Sequence, residues 1–139
     1  MNVDLIDQII DDVKKYIKLK SEYSPRVVKK SLKQNDKFPL ITITQEDNSN
    51  ILASTEFKET IDKLTISVNV YAEDMAVGNK TISNVNIVEE LVKLTDDVIR
   101  NRYKMLRTSC RPTPNLDNTI YRMTAMYTRK IISNKNILI

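Results

Sequence analysis

The chain has 139 residues, 41% hydrophobic and 29% charged, a length and composition that suit one soluble domain able to bury roughly 65–70% of its unfolded surface. Its formal net charge of +4 is unevenly placed: residues 100–139 hold nine of the 22 basic residues and one of the 18 acidic ones, a net of +8, which leaves −4 for residues 1–99. With no histidine and one glycine, Ser-His and Cys-His nucleophile pairs, the usual zinc sites, a phosphate-cradling P-loop and a GxGxxG turn are all excluded, so the expected class is not an enzyme and no cofactor is implied.

Residues 4–18 predict a helix. Leu5, Ile6, Ile9, Ile10, Val13, Tyr16 and Ile17 recur at three- and four-residue spacing and form one apolar stripe. Asp4 and Asp7 near its start and Lys14, Lys15 and Lys18 near its end suit the helix dipole. Pro25 blocks any continuation. Residues 26–32 read as a short strand around Val27 and Val28, and residues 33–37 as a turn. Residues 39–44 predict a strand, with Pro39 at the permitted first position. Residues 45–50, from Gln45 to Asn50, have the composition of a turn. Residues 51–58 read either as a weak strand or as part of a long loop.

Residues 61–72 give the clearest strand. Leu64, Ile66, Val68, Val70 and Ala72 alternate with Thr65, Ser67, Asn69 and Tyr71, so one face is core and the other polar. Residues 73–80, with the single glycine, Gly78, read as a loop. A second helix is expected over residues 83–102, N-capped by Ser83, with a stripe of Val85, Val88, Leu91, Val92, Thr95, Val98 and Ile99. Glu89–Lys93 and Asp96–Arg100 sit at i,i+4 in the favourable order.

The last third reads as a hairpin of strands over residues 105–112 and 118–131. Pro112 and Pro114 cannot donate to a ladder and hold the connection extended, while Asn115, Asp117 and Asn118 tolerate bent backbone. In the second strand Thr119, Tyr121, Met123, Ala125 and Tyr127 share one face, and Ile120, Arg122, Thr124 and Met126 the other. Both faces are half apolar, as in a strand covered on both sides, one cover being a candidate for another subunit. Residues 132–139 end in Ile137-Leu138-Ile139, either a docking arm or a frayed tail. The fold class that follows is α+β: a mainly antiparallel sheet of four to five strands with two helices packed on one face.

Chemistry is sparse. Adjacent carboxylates at Asp11-Asp12, Glu46-Asp47, Glu73-Asp74, Glu89-Glu90 and Asp96-Asp97 diverge on a helix rather than converge on a pocket. Glu73 and Asp74 offer oxygen ligands suited to magnesium or calcium, without calcium-loop spacing. Cys110, the only cysteine, lies beside Arg111 but has no histidine base, and reads as a small, partly buried strand residue. It forms no internal disulfide, and a cytosolic setting is the simplest reading. The acidic start, Met1-Asn2-Val3-Asp4, is unlike a signal peptide, and no stretch approaches the ~20 apolar residues of a membrane span. Tyr121, Tyr127, Arg122, Arg129 and Lys130 mix aromatics with positive charge as single-strand binders do. The glycines of an RNA-recognition signature are missing, and the basic residues do not form a compact block. An acidic part of a neighbouring copy is therefore the favoured partner of the basic third, with nucleic acid the alternative.

The order of elements and five segments carry a resemblance. The N-terminal helix is followed by Phe38-Pro-Leu-Ile-Thr-Ile and Leu64-Thr-Ile-Ser-Val-Asn-Val-Tyr-Ala. Then come Ile87-Val-Glu-Glu-Leu-Val and Arg107-Thr-Ser-Cys-Arg-Pro-Thr-Pro-Asn-Leu, running into Thr119-Ile-Tyr-Arg-Met-Thr-Ala. Over about residues 3–131 the chain resembles the tail terminator (tail completion) proteins of long-tailed bacteriophages and of phage-tail-like bacteriocins. The resemblance implies a virion structural protein, assembled in the host cytoplasm, that closes into a homohexameric ring on the head-proximal end of the tail tube. Such a ring stops tube polymerisation and offers a surface to the neck or head-completion protein. DNA only passes through its lumen, and no membrane is involved. The expected contacts are Glu46, Asp47 and Asn48 in the loop running to Lys58, and Arg111, Pro112, Pro114 and Asn115 at the hairpin tip, for the axial partners. Arg107, Arg122, Arg129 and Lys130 complete the interface set. The rival reading makes both loops ordinary solvent loops. A neck or head-completion adaptor, and more distantly a nucleic-acid-binding module, are the alternatives.

Overall fold

A computed structural model describes residues 3–29, 37–54, 59–113, 119–132 and 137–138. The apolar stripe read from the sequence produces α1 (Val3–Lys20). Leu5, Ile6, Ile9, Ile10, Val13 and Ile17 are all buried, each such side chain being worth about 1.5–3 kcal/mol. Lys18 and Lys20 in its last turn suit the dipole, and Ser21 N–H reaches Ile17 O at 2.8 Å.

A mixed, mostly antiparallel sheet carries the rest. It runs β1 (Arg26–Val28), β2 (Leu40–Ser54), β3 (Glu59–Ala72), β7 (Tyr121–Ile132) and β6 (Leu106–Pro112), in that spatial order. β1 is parallel to β2, and every other neighbour in the order is antiparallel. A short strand, β8 (Ile137–Leu138), pairs with the end of β7. α1 and α2 (Asn84–Asp96) lie on one face, as the alternation in β3 requires. Leu64, Ile66, Val68, Val70 and Ala72 join Ile41, Ile43, Ala125 and Tyr127 in the core against both helices. The expected α+β architecture is therefore present. None of the described helices is long and apolar enough to cross a membrane.

Four local expectations change. The turn-like residues 45–50 are strand: β2 continues to Ser54, and β3 pairs with it from Tyr71 to Glu59. A continuous partner ladder outweighs the weak strand propensity of Asn, Asp and Ser. Irregularities between Gln45 and Asn48 and between Asn50 and Leu52 absorb the misfit as bulges. The expected loop around Gly78 is instead a small hairpin of β4 (Met75–Val77) and β5 (Lys80–Ile82), turning through Gly78 at φ 62. Positive φ at that position needs glycine.

The second helix is shorter than expected in its α form. Ser83 is its N-cap, its Oγ accepting from Asn86 N–H at 3.3 Å, and Asp74 adds a second bond to Asn84 N–H at 2.8 Å. From Asp97 to Arg102 the chain winds as a π-helix. Ile87 is buried in the stripe, whereas Val85 is exposed. Asp96–Arg100 closes at 3.3 Å. Finally, the C-terminal segment is neither a free arm nor frayed over Ile137–Leu138, which pair with Ile132 and Ile131 of the chain's own β7. The expectations for residues 30–36, 55–58, 114–118 and 133–136 and for Ile139 lie outside the described residues.

Candidate assembly surface

The sheet has two outer edges. On one side β6 has β7 as its one strand neighbour among the described residues, over Leu106–Pro112. Its residues are exposed except for the half-buried Cys110, which packs against the core. Thr113 N–H turns inward to Arg122 O at 2.9 Å. Main-chain direction alternates along an antiparallel strand, so Pro112 faces outward, where its missing N–H leaves nothing unpaired. Cys110 then offers its N–H and C=O to the outside. A bulge between Arg107 and Ser109 interrupts the ladder. Bulge, proline and arginines are the devices by which an edge strand refuses casual partners.

On the other side β1 covers the outer edge of β2 only at Leu40–Thr42. Beyond Thr42, β2 has β3 as its one strand neighbour among the described residues. Gln45 pairs with Ile66 and Asn48 with Leu64, so Glu46 and Asp47 together oppose the single residue Thr65. Two consecutive acidic residues thus share one register position at the far edge of the sheet from Arg107 and Arg111. Glu46 is exposed. These acids were expected on a loop; they stand on a bulged strand.

The interface residues expected on β6 and β7 divide by what they already hold. Arg107 Nη1 lies 3.4 Å from Asp96 Oδ1, which ties β6 to the end of α2. The same oxygen accepts from the hydroxyl of the fully buried Tyr127 at 2.7 Å. Burial first, and then that hydrogen bond, raise the Tyr127 phenol far above its ordinary value. Tyr103 repeats the arrangement with Asp12: burial and the hydrogen bond to the carboxylate both raise its phenol, and Arg102 stands 3.2 Å from the same carboxylate.

Arg129 is structural. Its Nη1 donates to Tyr103 O at 3.1 Å and Lys104 O at 2.9 Å, satisfying carbonyls left open where the π-helix ends. Arg122 is engaged on the helix-free face. Its Nε and Nη2 donate to Asn69 Oδ1 at 3.1 and 2.9 Å, and its guanidinium lies 5.4 Å from the centre of the Tyr71 ring. Thr113 Oγ1 donates to Thr124 Oγ1, and Thr124 to Asn69 Oδ1, both at 2.6 Å. This chain of bonds fixes the backbone that follows Pro112.

Arg111 pairs in register with Thr124 and Lys130 with Lys63, both on the helix-free face, and both Arg111 and Lys130 are exposed. Asn48 lies in β2 at the end of its first bulge. Pro114 and Asn115 lie outside the described residues. The structure thus brings Arg107, Arg111 and Pro112 together on one edge, places Arg122, Arg129 and Lys130 on the adjoining strand, and sets Glu46, Asp47 and Asn48 at the opposite edge.

Sequence reasoning missed Asp96 and Asn69, the acceptors that organise these cations. Their partners are distant in sequence, and no local spacing announces them. Asp74, weighed as a metal ligand, is a helix cap. Shallow clefts of about 290 Å³, beside Lys14, Ile17 and Pro25, and about 480 Å³, beside Tyr16, Asp97 and Arg102, flank α1. Among the described residues, no group of three or more metal-ligating side chains converges. No protein-family model and no curated protein matches the chain.

Proposed function

We propose that this chain is a structural assembly protein of the tail-terminator kind. Copies close into a ring, by the resemblance a hexamer, on the head-proximal end of a phage tail tube. The ring ends tube growth and provides the surface to which the neck or head-completion protein binds. DNA passes through the lumen without being read. The protein works within the virion after assembly in the host cytoplasm.

The observation that supports this reading most is the polarity of the sheet. One lateral edge carries Arg107 and Arg111, the other the Glu46-Asp47 pair. A surface whose two sides differ and complement each other makes head-to-tail contacts, which close when the rotation between copies divides a full turn. Charge complementarity of this kind also fixes which edge meets which. A ring closed in this way leaves its two axial faces different, as a cap requires: one binds the last tube ring and the other refuses further tube subunits.

The direct test adds purified chain to polymerising tube protein and follows tube length by electron microscopy. Growth is expected to stop, with extra density at one tube end. Tubes that lengthen as fast with the chain as without it contradict the reading.

A further inference from the structure

We infer that neighbouring copies join by a β-ladder: the free edge of β6 in one copy adds to the free edge of β2 in the next, beyond β1. This rests on the ring reading above and specifies its subunit contact. The occupant of each edge is a second copy of this chain, and four observations carry it.

First, both edges are open among the described residues, and they lie on opposite sides of one sheet. β2 and β7 point the same way, because each is antiparallel to β3, and β6 opposes β7. A copy rotated about an axis to which the strands are tilted, as in a barrel, therefore presents its β2 close to antiparallel to β6, the more favourable ladder.

Second, Arg111 and Glu46 are complementary in charge, and they fall on the same side of the sheet. Arg111 is level with Thr124, Asn69 and Thr42 across the ladder. Glu46, at the register position of Thr65, lies on the helix-free side that Thr65 shares with Asn69.

Third, the geometry sets the offset. β1 occupies the edge of β2 at Leu40–Thr42, so the incoming strand must pair further along. Glu46 lies four residues beyond Thr42, and a displacement of the copies by roughly 13 Å at ~3.3 Å per residue brings Arg111 opposite Glu46. Such an offset between successive units is the stagger that a closing sheet requires.

Fourth, the edges are selective. The β2 edge bears a bulge at Glu46-Asp47, and β6 bears a bulge between Arg107 and Ser109 as well as Pro112, so an unrelated strand meets misfit and unpaired charge. The same edge accepts a partner that brings the opposite charge at the right register.

The test uses four proteins: the natural chain, Arg111→Glu, Glu46→Lys, and the two changes together in one chain. Both positions are exposed, and circular dichroism checks that each variant folds. Association is followed by sedimentation at low ionic strength, alone and with tube protein. Each single change sets like charges opposite each other at every contact, which is expected to weaken association about tenfold or more. The double change restores a pair of opposite charges and is expected to recover association. Association of the natural chain with no loss in the single variants, or with no recovery in the double, overturns the ladder and leaves the ring reading standing. A natural chain that stays monomeric both alone and with tube protein overturns both.

Discussion

Replacing Asp96 tests whether the basic edge is held by the core as described. Its side chain, 14% exposed, accepts from Tyr127 at 2.7 Å and stands 3.4 Å from Arg107 and 3.3 Å from Arg100. Asp96→Ala leaves the Tyr127 hydroxyl buried without an acceptor, a loss of about 1–3 kcal/mol. The two ion pairs are partly exposed and add about 0–1 kcal/mol each. The expected destabilisation is therefore about 1–5 kcal/mol, with the hydroxyl as the larger contribution. Asp96→Asn keeps an acceptor for Tyr127 and should lose about half as much or less. Tyr127→Phe removes the donor, so Asp96→Ala should cost less in that background, with a coupling of about 1–2 kcal/mol. Urea unfolding followed by circular dichroism measures the natural chain and all four variants. A coupling below about 0.3 kcal/mol, or Asp96→Asn as damaging as Asp96→Ala, would refute the reasoning.

Other expectations concern the same framework. Tyr127 and Tyr103 keep their protons in the folded chain above the ordinary phenol value of 10.0, because of burial and their carboxylate acceptors. The unfolded chain releases them there, so stability is level in these groups below pH 10 and falls above it, by up to about 1.4 kcal/mol per pH unit for each tyrosine. Urea midpoints across that range should fall less steeply in Tyr127→Phe, and an unchanged slope contradicts the assignment. Arg129→Met keeps the aliphatic stem but uncaps the Tyr103 and Lys104 carbonyls, and should lower stability by about 1–3 kcal/mol in the same assay. Lys104 has φ 55, so Lys104→Gly should raise the melting temperature, a gain on the order of 1 kcal/mol from relieved left-handed backbone. Ser83→Ala removes the cap of α2 and should cost about 1 kcal/mol.

Much of the fold was legible because its strongest signals are periodic. The stripe from Leu5 to Ile17 and the alternation from Leu64 to Ala72 are both core in the structure. The Gly78-Asn79 dipeptide carried a signal for a two-residue hairpin turn that the loop reading passed over. Residues 45–50 differ from the turn their composition predicts because composition reports local preference, while the ladder with β3 is a contact between distant residues. The same limit applies to the site. Arg107, Arg122 and Arg129 stood out as cations, but which of them is free depends on Asp96, Asn69 and the end of the π-helix, which folding alone brings near. The exposed Arg111 and Lys130, together with Glu46 across the sheet, retain the character of contact residues.

The central claim is that the protein acts as a collar that ends a growing tube. Electron microscopy of particles assembled in cells lacking this chain tests it most directly, through the distribution of tail lengths. The account predicts tails that run past their normal length and vary widely. Tails of uniform, normal length would contradict it, and if such tails also failed to join heads they would mark the chain as a neck adaptor instead.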